Sequence, residues 1–452
     1  MSYNDQEVAE LLKSSALLHS EMRDYASLSD NLKPLVVAGI LIALTDSGFD
    51  VDALNGDDDG AKIYDAMSSV LSRHANVDIL GQFEFIKDNL ALNDVNTRIN
   101  KTPIKHFALF IKSKIYDHVK ESSSSLDLLG NFYATNGDGK TLGIVLTPKH
   151  ITDLFCELVD LGPDDVVLDP CTGTAGYLVA ALHHMLGKAV SDEQKNSIRQ
   201  DQLLGFELQT YMYALSTANM LVRGLGKSNV INDNFLKQDP SSLKATVGMM
   251  NPPYSQGSKS QPELYEVAFT EHLLDAMRQG GRAIVIVPQS SFTGKTLEEK
   301  SVKRRILKKH TLEGVITVNK DTFYGVGANA CIAIFTAGEP HPADKMCKFI
   351  DFRDDGYQVR PHVGLLETEH AAGKKQLLLD VWFDRSIAKS DFCVKTTVNA
   401  DDEWLHGFYF FNDEIPTEAD FEKTVGDYLT FEFSMIMQGR GYLFENKNQA
   451  GG

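Results

Sequence analysis

The sequence predicts an α/β fold, in which helices cover both faces of a mainly parallel sheet. A helical region precedes the sheet and a small tail follows it. Three observations support this prediction. Short apolar runs alternate with helix-like segments over about 200 residues from residue 141 onward. The residues before about 130 show helical periodicity. Several of the apolar runs end in an acidic or amide residue, and ligands bind at such strand ends in parallel sheets.

Three regions are therefore expected: residues 1–130 as an N-terminal helical domain, 131–345 as the sheet domain, and 346–452 as a C-terminal extension of strands and helix. A chain of 452 residues is too long for one ordinary domain. The first region contains the predicted helices "EVAELLKSSALLHSEM", "LKPLVVAGILIALTDSGF" and "PIKHFALFIKSKIYDHVKE". The apolar run Leu35 to Leu44 is too short to span a bilayer, so we interpret it as a buried helix.

The strands of the second region are predicted in the order "DVVLDP", "LLGFE", "NVI", "ATVGMM", "RAIVIVP", "LEGVITV" and "ACIAIFTA". The helices between them are predicted at "GYLVAALHHML", "TYMYALSTANMLVRG", "ELYEVAFTEHLLDAMRQ" and "KSVKRRILKKH". In the C-terminal extension, "MCKFIDFRDDGYQVRP" predicts one or two strands. The segment "TEADFEKTVGDYLTFEF" predicts a helix and then a strand.

Composition narrows the classes of function. The net charge is −18, whereas a protein that binds nucleic acid over its whole surface carries a basic excess. Any nucleic-acid contact is therefore a local patch or is supplied by a partner. The densest basic run, residues 300–310, is either such a phosphate contact or a solvated helix face.

The sequence also lacks the motifs of structural metal sites and of secreted proteins. The five cysteines form no C-x-x-C pair, which favours a reducing cytoplasm over disulfides or structural zinc. Residues 57–59 are three aspartates without the ligand spacing of an EF-hand, so we interpret them as a solvated loop and predict no metal site. The acidic, polar N-terminus does not have the pattern of a signal peptide.

The first polar strand end is "DPCTGTAG", residues 169–176, which follows a predicted strand and opens a predicted helix. Gly173 and Gly176 allow the backbone to approach a ligand closely, and the helix N-terminus offers N–H groups. The segment is not G-x-G-x-x-G, so a dinucleotide is not the expected ligand, and Asp169 suits a cationic group better than a phosphate. A plain glycine-containing turn is an equal alternative for this segment taken alone.

Two further strand ends carry polar side chains. Glu207 ends "LLGFE", where an acid can accept hydrogen bonds from ribose hydroxyls; the alternative is a surface glutamate. Asp233 and Asn234 follow "NVI". One of them can accept from an adenine amino group while Phe235 packs on the ring; the alternative is an Asx turn.

The fourth strand end is Asn251-Pro252-Pro253-Tyr254. The two prolines fix the backbone after the strand. The side-chain carbonyl of Asn251 and the main-chain carbonyl of Pro252 can both accept from one amino group, which stabilises positive charge developing on it as it acts as a nucleophile. Tyr254 offers a flat face on which a base can stack. We interpret this segment as a clamp for a planar amine; a proline turn is the alternative.

Together these motifs resemble those of the N6-adenine DNA methyltransferases of the gamma arrangement, in which the glycine-containing motif precedes N-P-P-Y. The chain is most similar to the modification (M) subunit of type I restriction–modification systems. The resemblance covers the helical N-terminal region, "LTPKHITDLFCELVD", "DPCTGTAG", Glu207, N-P-P-Y and "FYGVGANACIAIF". It implies a class I S-adenosylmethionine-dependent methyltransferase fold for residues 131–345, with a Rossmann-like, mainly parallel, seven-stranded sheet.

The resemblance also implies a role for each motif, with S-adenosylmethionine as cofactor. Its methionine end would contact Thr147, Pro148, Asp169, Cys171, Gly173, Thr174 and Gly176. Its ribose would contact Glu207, and its adenine would contact Asp233, Asn234 and Phe235.

On the substrate side, the resemblance implies an adenine flipped out of duplex DNA. This base would stack on Tyr254 and on Phe323, or on Tyr324 in its place. Its N6, held by Asn251 and Pro252, would attack the methyl group directly. The implied partners are double-stranded DNA and a separate DNA-specificity subunit, with residues 346–452 as a subunit contact. Whether a restriction (nuclease) subunit exists is left open, and no membrane partner is expected.

The sequence departs from the family pattern D-P-A-C-G-T-G-G. Cys171 and Thr172 replace Ala-Cys, and Ala175 replaces a glycine. An alanine here needs a negative φ or bears strain of roughly 1–3 kcal/mol. Asn234 stands where an aspartate is common. Two alternatives therefore stay open: a methyltransferase acting on RNA or on a protein glutamine amide, and an assembly subunit without turnover.

Overall fold

The computed structural model describes residues 3–26, 28–56, 58–74, 77–88, 103–117, 127, 129–130, 146–225, 229–239, 243–294, 296–323, 327–360, 364–411, 417–438, 440 and 444. The contacts within the chain divide it into two compact units, Met1–Tyr409 and Phe410–Gly452. The domain boundaries near residues 130 and 345 therefore stay predictions. Within the described ranges, no helix combines the length and the apolar character that crossing a membrane requires.

The N-terminal region is helical, as the periodicity predicts. Its α-helices are α1 (Tyr3–Ala26), α2 (Lys33–Leu44), α3 (Asp59–Arg73) and α4 (Pro103–Ile111). Helix α4 continues as a π-helix, Lys112–Tyr116, and 3-10 segments span Val51–Ala53 and Val77–Asp88. The apolar run inside α2 is buried on all sides, which confirms the buried-helix interpretation.

The aspartate-rich loop before α3 is not simply solvated, which corrects part of the interpretation from sequence. Asp58 is exposed and pairs with Lys62 at 2.9 Å. The Asp59 carboxylate is fully buried and accepts hydrogen bonds from the backbone N–H groups of Asn55 (2.7 Å) and Gly56 (3.1 Å). Asp59 therefore closes the turn into α3, a role that a count of consecutive acids does not reveal.

The described strands, in chain order, are β1 (Val167–Asp169), β2 (Leu203–Phe206), β3 (Val230–Ile231), β4 (Ala245–Met250), β5 (Met277–Pro288), β6 (Thr311–Val318), β7 (Ala330–Thr336), β8 (Cys347–Phe352), β9 (Tyr357–Arg360), β10 (Gly364–Glu367) and β11 (Cys393–Thr396). Nine of these described strands form one sheet in the order β11-β8-β6-β7-β5-β4-β1-β2-β3. Neighbours are parallel except at β5/β7, β7/β6 and β8/β11. The mainly parallel sheet is therefore confirmed, and β8 and β11 extend the seven strands expected from the resemblance.

Successive strand residues point to opposite sides of the sheet, and both sides are apolar, so helices cover both faces. On one side the core is continuous with the N-terminal helices and includes α5 (Lys149–Leu158), α6 (Gly176–Lys188), α7 (Asp192–Asp201), α8 (Thr210–Val222) and α12 (Ala371–Trp382). On the other side lie α9 (Glu266–Asp275), α10 (Ser290–Thr293) and α11 (Leu297–Lys309). A short helix, α13 (His406–Tyr409), follows β11.

Two predicted elements differ from the structure. The helix predicted at "ELYEVAFTEHLLDAMRQ" ends at Asp275, because Met277 pairs with Ala245 and draws the following residues into β5. The segment "TEADFEKTVGDYLTFEF", predicted as a helix and then a strand, belongs to one helix, α14 (Glu418–Met437). Thr417 and Asp420 form a capping box that starts this helix.

Candidate active site

The first site residue, Asp169, ends β1 and is completely buried. Its Oδ1 accepts a hydrogen bond from the Cys171 N–H at 3.1 Å, while Oδ2 has no hydrogen-bond partner among the described residues. Burial, together with the nearby Glu207 carboxylate, raises the pKa of Asp169 to about 8. A cationic group placed here would favour the ionised carboxylate, because opposite charge offsets the desolvation.

The loop after Asp169 has a left-handed backbone at two residues. Gly173 has a φ of 55°, and a Cβ added to it would meet nothing within 4 Å, so the loop has space beside this residue. Ala175 has a φ of 76° and is fully buried. Of the two possibilities for this alanine, a negative φ or a strained backbone, the structure has the strained backbone. Thr172 secures the turn by donating from Oγ1 to the Asp169 carbonyl at 3.0 Å.

Glu207 follows β2 and is tied to this loop. Its Oε2 accepts from the Gly173 N–H at 2.8 Å, and its Oε1 accepts from the Gln209 N–H at 2.8 Å. Burial raises the pKa of the Glu207 carboxyl. Asn232, which sequence reasoning missed, donates to the Glu207 carbonyl at 2.7 Å and so connects the ends of β2 and β3.

The polar residues after β3 form a local turn. The Asn234 side-chain oxygen accepts from the Leu236 N–H at 3.0 Å, which is the Asx turn that the sequence left open. Asp233 accepts from Gln238 at 2.8 Å. Phe235 is nearly buried, and its ring lies 5.5 Å from that of Phe206. These three predicted residues therefore lie together at one strand end.

Asn251 follows β4, the strand next to β1, so it lies at the same sheet edge as Asp169. The Asn251 side-chain amide donates to Thr147 Oγ1 at 3.0 Å. Pro148, next to Thr147, has an extended backbone and caps the start of α5. The contact therefore joins the segment before α5 to the strand end, although the two residues are 104 positions apart.

Two aromatic rings meet beside Asn251. The rings of Tyr254 and Phe323 lie 6.0 Å apart at 84°, in an edge-to-face arrangement. The Tyr254 hydroxyl donates to the Ile286 carbonyl at 3.4 Å, and burial raises its pKa well above the usual value. Pro252 is buried and Pro253 exposed. The alternative stacking residue, Tyr324, lies outside the described residues.

A buried acid that sequence reasoning missed holds the segment after Tyr254. Glu266, at the start of α9, accepts from the Ser255 N–H at 2.7 Å and from the Ser291 hydroxyl at 3.4 Å. Ser255 itself has a φ of 58°, a conformation that costs free energy for a residue with a side chain. The carboxylate therefore stabilises a turn that the sequence does not favour by itself.

A second missed group is a polar network beneath the glycine-containing loop. Asp127 accepts from the Thr174 hydroxyl and, at 2.6 Å, from the Asn219 amide, which also donates to the Thr174 carbonyl at 2.8 Å. Arg223 donates to the backbone and side-chain oxygens of Asn219, each at 2.8 Å. Desolvation raises the pKa of Asp127. The network fixes Thr174, which stands between the two left-handed loop residues, Gly173 and Ala175.

The basic run of residues 300–310 forms contacts within the chain rather than a free basic face. Arg305 pairs with Glu271 at 2.5 Å, and Lys309 pairs with Asp275 at 2.6 Å. Lys303 is fully buried and donates to the Phe292 carbonyl at 2.8 Å. The interpretation as a solvated helix face therefore fits Arg305, half of whose side chain is exposed, but not the buried Lys303. The phosphate contact stays a prediction.

Comparisons with known proteins identify the family of the chain. The family model described as N-6 DNA Methylase matches residues 127–403. The chain is 43% identical to the type II restriction enzyme and methyltransferase RM.BcgI of Heyndrickxia coagulans, over 98% of this chain and 72% of that protein. It is 22% identical to the type I restriction enzyme EcoEI methylase subunit of Escherichia coli, over 57% of this chain and 53% of that protein. The chain thus spans about half the length of this type I relative.

Among solved structures, a chain of a type I restriction–modification system covers 100% of this chain with a TM-score of 0.62 and 15% sequence identity. At that identity the likeness supports the fold alone. This likeness over the whole chain, together with the match to the N-6 DNA Methylase model, confirms the methyltransferase fold that the sequence resemblance implies.

Proposed function

Because the chain belongs to the N-6 DNA methylase family, we propose that it transfers a methyl group from S-adenosylmethionine to the N6 amino group of an adenine in duplex DNA. Membership of this family identifies the chain as an adenine-specific DNA methyltransferase of a restriction–modification system. The observation that carries the proposal is the contact between Asn251 and Thr147, which joins the implied base-holding motif to the implied cofactor-closing motif at one sheet edge.

The residues around β1 and β2 fit S-adenosylmethionine. Asp169 has a buried carboxylate oxygen without a partner among the described residues, which suits the cationic amino group of the methionine end. The space beside Gly173 admits a ligand near the backbone. Glu207 uses one lone pair on each oxygen for backbone N–H groups, which leaves acceptor capacity for ribose hydroxyls.

The remaining cofactor contacts follow the same assignment. The methionine end would also contact Thr147, Pro148, Cys171, Thr174 and Gly176, and the adenine ring would contact Asp233, Asn234 and Phe235. Asn234 already caps a turn, so we propose that it fixes the shape of the adenine site as well as contacting the ring. When bound, S-adenosylmethionine supplies an electrophilic methyl group.

At the substrate side, the chain's own residues hold and polarise the adenine. Thr147 fixes the Asn251 amide by accepting from its nitrogen, so the amide plane is set before the base arrives. The Asn251 and Pro252 carbonyls would accept the two N6 hydrogens and stabilise positive charge on N6. The base would stack on Tyr254, whose ring is supported at its edge by Phe323. The N6 lone pair would form the new bond to the methyl carbon while the carbon–sulfur bond breaks and S-adenosylhomocysteine leaves with the electron pair; one N6 proton would then pass to water.

The C-terminal unit suits a subunit contact. Helix α14 exposes many apolar side chains: Phe421, Val425, Tyr428, Leu429, Phe431, Phe433, Ile436 and Met437. Such a face is typical of a surface that a partner covers. Because the chain has a net charge of −18, a partner that contributes basic DNA contacts would raise its affinity for DNA. We propose that a DNA-specificity subunit covers α14.

The test is transfer of labelled methyl from S-adenosylmethionine to mixed-sequence duplex DNA, for wild type, Asn251→Ala and Asn229→Ala, each alone and with the specificity subunit. We expect label on adenine N6 with wild type. Asn251→Ala should lower the rate at least 100-fold while cofactor affinity stays within about threefold, because the lost contact acts on the transition state. Asn229→Ala is the matched control, since the Asn229 side chain donates to the Gln200 carbonyl, before the start of β2 and at the other end of that strand from Glu207.

Full activity of Asn251→Ala would refute the assigned clamp. Labelling of RNA or of a glutamine-containing peptide in preference to duplex DNA would redirect the substrate assignment. Absence of cofactor binding in wild type would favour an assembly subunit without turnover.

A further inference from the structure

A cavity of about 610 Å³ lies between the N-terminal helices and helices α6, α7 and α8, away from the strand ends that form the candidate active site. Five basic side chains line it: Arg73, His74, His183, Arg199 and Arg223. The described lining residues include no aspartate or glutamate. In a chain with 62 acidic and 44 basic residues, the three arginines among the described lining residues are a marked local concentration of positive charge.

The described contacts of these basic groups differ from one another. Arg73 pairs with Asp46 at 2.9 Å, and Arg223 is held by Asn219 above the buried Asp127. Arg199 makes no ion pair within the described part of the chain. The His183 Nε2 is buried without a hydrogen-bond partner among the described residues. Burial lowers the pKa of His183 to about 4, and the positive charge of Arg223 acts in the same direction.

Most of the other described lining residues are apolar. They include Leu186 from α6 and Leu221 and Val222 from α8, and Tyr116 from the π-helix adds an aromatic ring. The cavity therefore combines cationic groups with an apolar wall. Small-molecule sites have volumes of about 300–1,000 Å³ and combine apolar walls with a few polar groups, so this cavity has the size and character of a ligand site.

We propose that this cavity binds a small organic phosphate of nucleoside-monophosphate size, as a site separate from those for the cofactor and the target adenine. Guanidinium groups match a phosphate geometrically, since each can donate two parallel hydrogen bonds to its oxygens. The apolar wall would receive the organic part of the ligand. The proposal does not depend on which substrate is methylated.

The site is connected to the glycine-containing loop through a short chain of contacts. Arg223 lines the cavity and donates to Asn219, which in turn donates to the Thr174 carbonyl at 2.8 Å. A phosphate that draws Arg223 toward the cavity competes with its contacts to Asn219. Binding in the cavity therefore changes the affinity for a ligand at the loop, and the same factor acts in the reverse direction.

The experiment is isothermal titration calorimetry of the full chain with uridine 5′-monophosphate, inorganic phosphate and uridine. Each titration is run with and without saturating S-adenosylhomocysteine, which blocks the cofactor site. We expect uridine 5′-monophosphate to bind in both conditions, at least tenfold more tightly than either inorganic phosphate or uridine. The affinity should differ measurably between the two conditions, because the sites are coupled.

Two variants and one control test the location. Arg199→Gln removes a positive charge and should weaken uridine 5′-monophosphate at least tenfold. Leu186→Trp keeps every charge and fills space inside the cavity, so it should abolish binding. Arg278→Gln removes an exposed arginine outside the cavity and should leave the affinity unchanged. The Tm of each variant must match that of wild type within a few degrees.

Three results would overturn the proposal. One is equal binding of inorganic phosphate and uridine 5′-monophosphate, which would make the cavity a simple anion site. Another is binding that persists in both Arg199→Gln and Leu186→Trp. The last is a short DNA duplex that displaces the nucleotide and loses affinity in Arg199→Gln, which would make the cavity a DNA contact.

Discussion

Ala175 has a backbone conformation that its own methyl group disfavours. Its φ of 76° and ψ of 27° lie in the left-handed region, where a residue with a Cβ is strained by roughly 1–2 kcal/mol. The methyl group is fully buried, and burying one such group contributes about 0.8 kcal/mol. The strain therefore exceeds the benefit of the buried methyl group.

Replacing Ala175 by glycine should raise the free energy of unfolding by roughly 0.5–1 kcal/mol, because glycine adopts this conformation without strain. Denaturant unfolding of both proteins measures the change. Ala372→Gly, at an exposed position inside α12, is the matched control and should lower the free energy of unfolding by about as much. A loss of stability in Ala175→Gly would contradict the prediction.

Asp169 predicts a pH dependence of stability. Its pKa in the folded protein, about 8, lies above the ordinary value of 3.8, so the unfolded chain holds fewer protons at intermediate pH. The contribution of this carboxyl to stability is complete below pH 3.8 and falls as the pH rises toward about 8. Asp169→Asn removes the titration, so the Tm of the variant relative to wild type should increase progressively from pH 5 to pH 8. Thermal unfolding without ligand measures this, and a pH-independent difference would refute it.

Some site residues could be predicted from the sequence because an apolar run followed by a polar residue marks the end of a strand. Asp169, Glu207 and Asn251 each follow an apolar run, and parallel strands bring their ends to one edge. Asp127 could not be predicted in the same way. It follows a run of four serines, and its contact with Asn219 spans 92 positions. A pattern read locally contains no information about such a pairing.

The sequence predicts helix α11 correctly, but it does not predict the buried contacts that the helix makes. Its periodicity gives a helix, and Thr296 and Glu299 form the capping box that begins it. The sequence does not reveal that Lys303 is buried, with its Nζ 4.5 Å from the centre of the Trp404 ring. Lys303 also donates to the Asp402 carbonyl at 2.5 Å, which attaches α11 to the chain after β11.

Lys303→Met should lower the free energy of unfolding by about 1–3 kcal/mol. Methionine fills most of the space but leaves two buried carbonyls without their charged donor. Chemical denaturation measures the loss. Lys308→Met, at an exposed position on the same helix, should change stability by less than about 0.5 kcal/mol. Equal effects of the two substitutions would show that the buried contacts contribute nothing.

At the scale of the whole molecule, strand–helix alternation predicts the mainly parallel sheet, but not that β7 lies antiparallel between β5 and β6. The positions of β8 and β11 are not predictable from it either. β8 pairs in parallel with β6, and β11 pairs antiparallel with β8, so both join the sheet after the alternation has stopped. A strand pattern in the sequence does not say which edge of the sheet the strand will join, because either edge could accept it.

The exposed apolar face of α14 gives a prediction for assembly. Leu429→Asp places a charge in this face and should weaken binding of the specificity subunit at least tenfold, since a charge buried without a partner is costly. Cofactor affinity of the isolated chain should stay unchanged. Ser434→Asp introduces the same charge at an exposed polar position of the helix and is the control. Co-purification and calorimetry measure the effect; undiminished binding in Leu429→Asp would remove α14 from the interface.

The two backbone contacts of Glu207 affect the kinetics of binding. They hold Gly173 and Gln209 in place in the ligand-free protein, so the loop acquires its shape when the chain folds. The entropy of ordering that loop is therefore lost during folding and is absent from the association step. A ligand that meets a preorganised loop associates in one phase, at a rate limited by encounter rather than by rearrangement. Without the carboxylate, the same loop would have to be ordered anew each time a ligand binds.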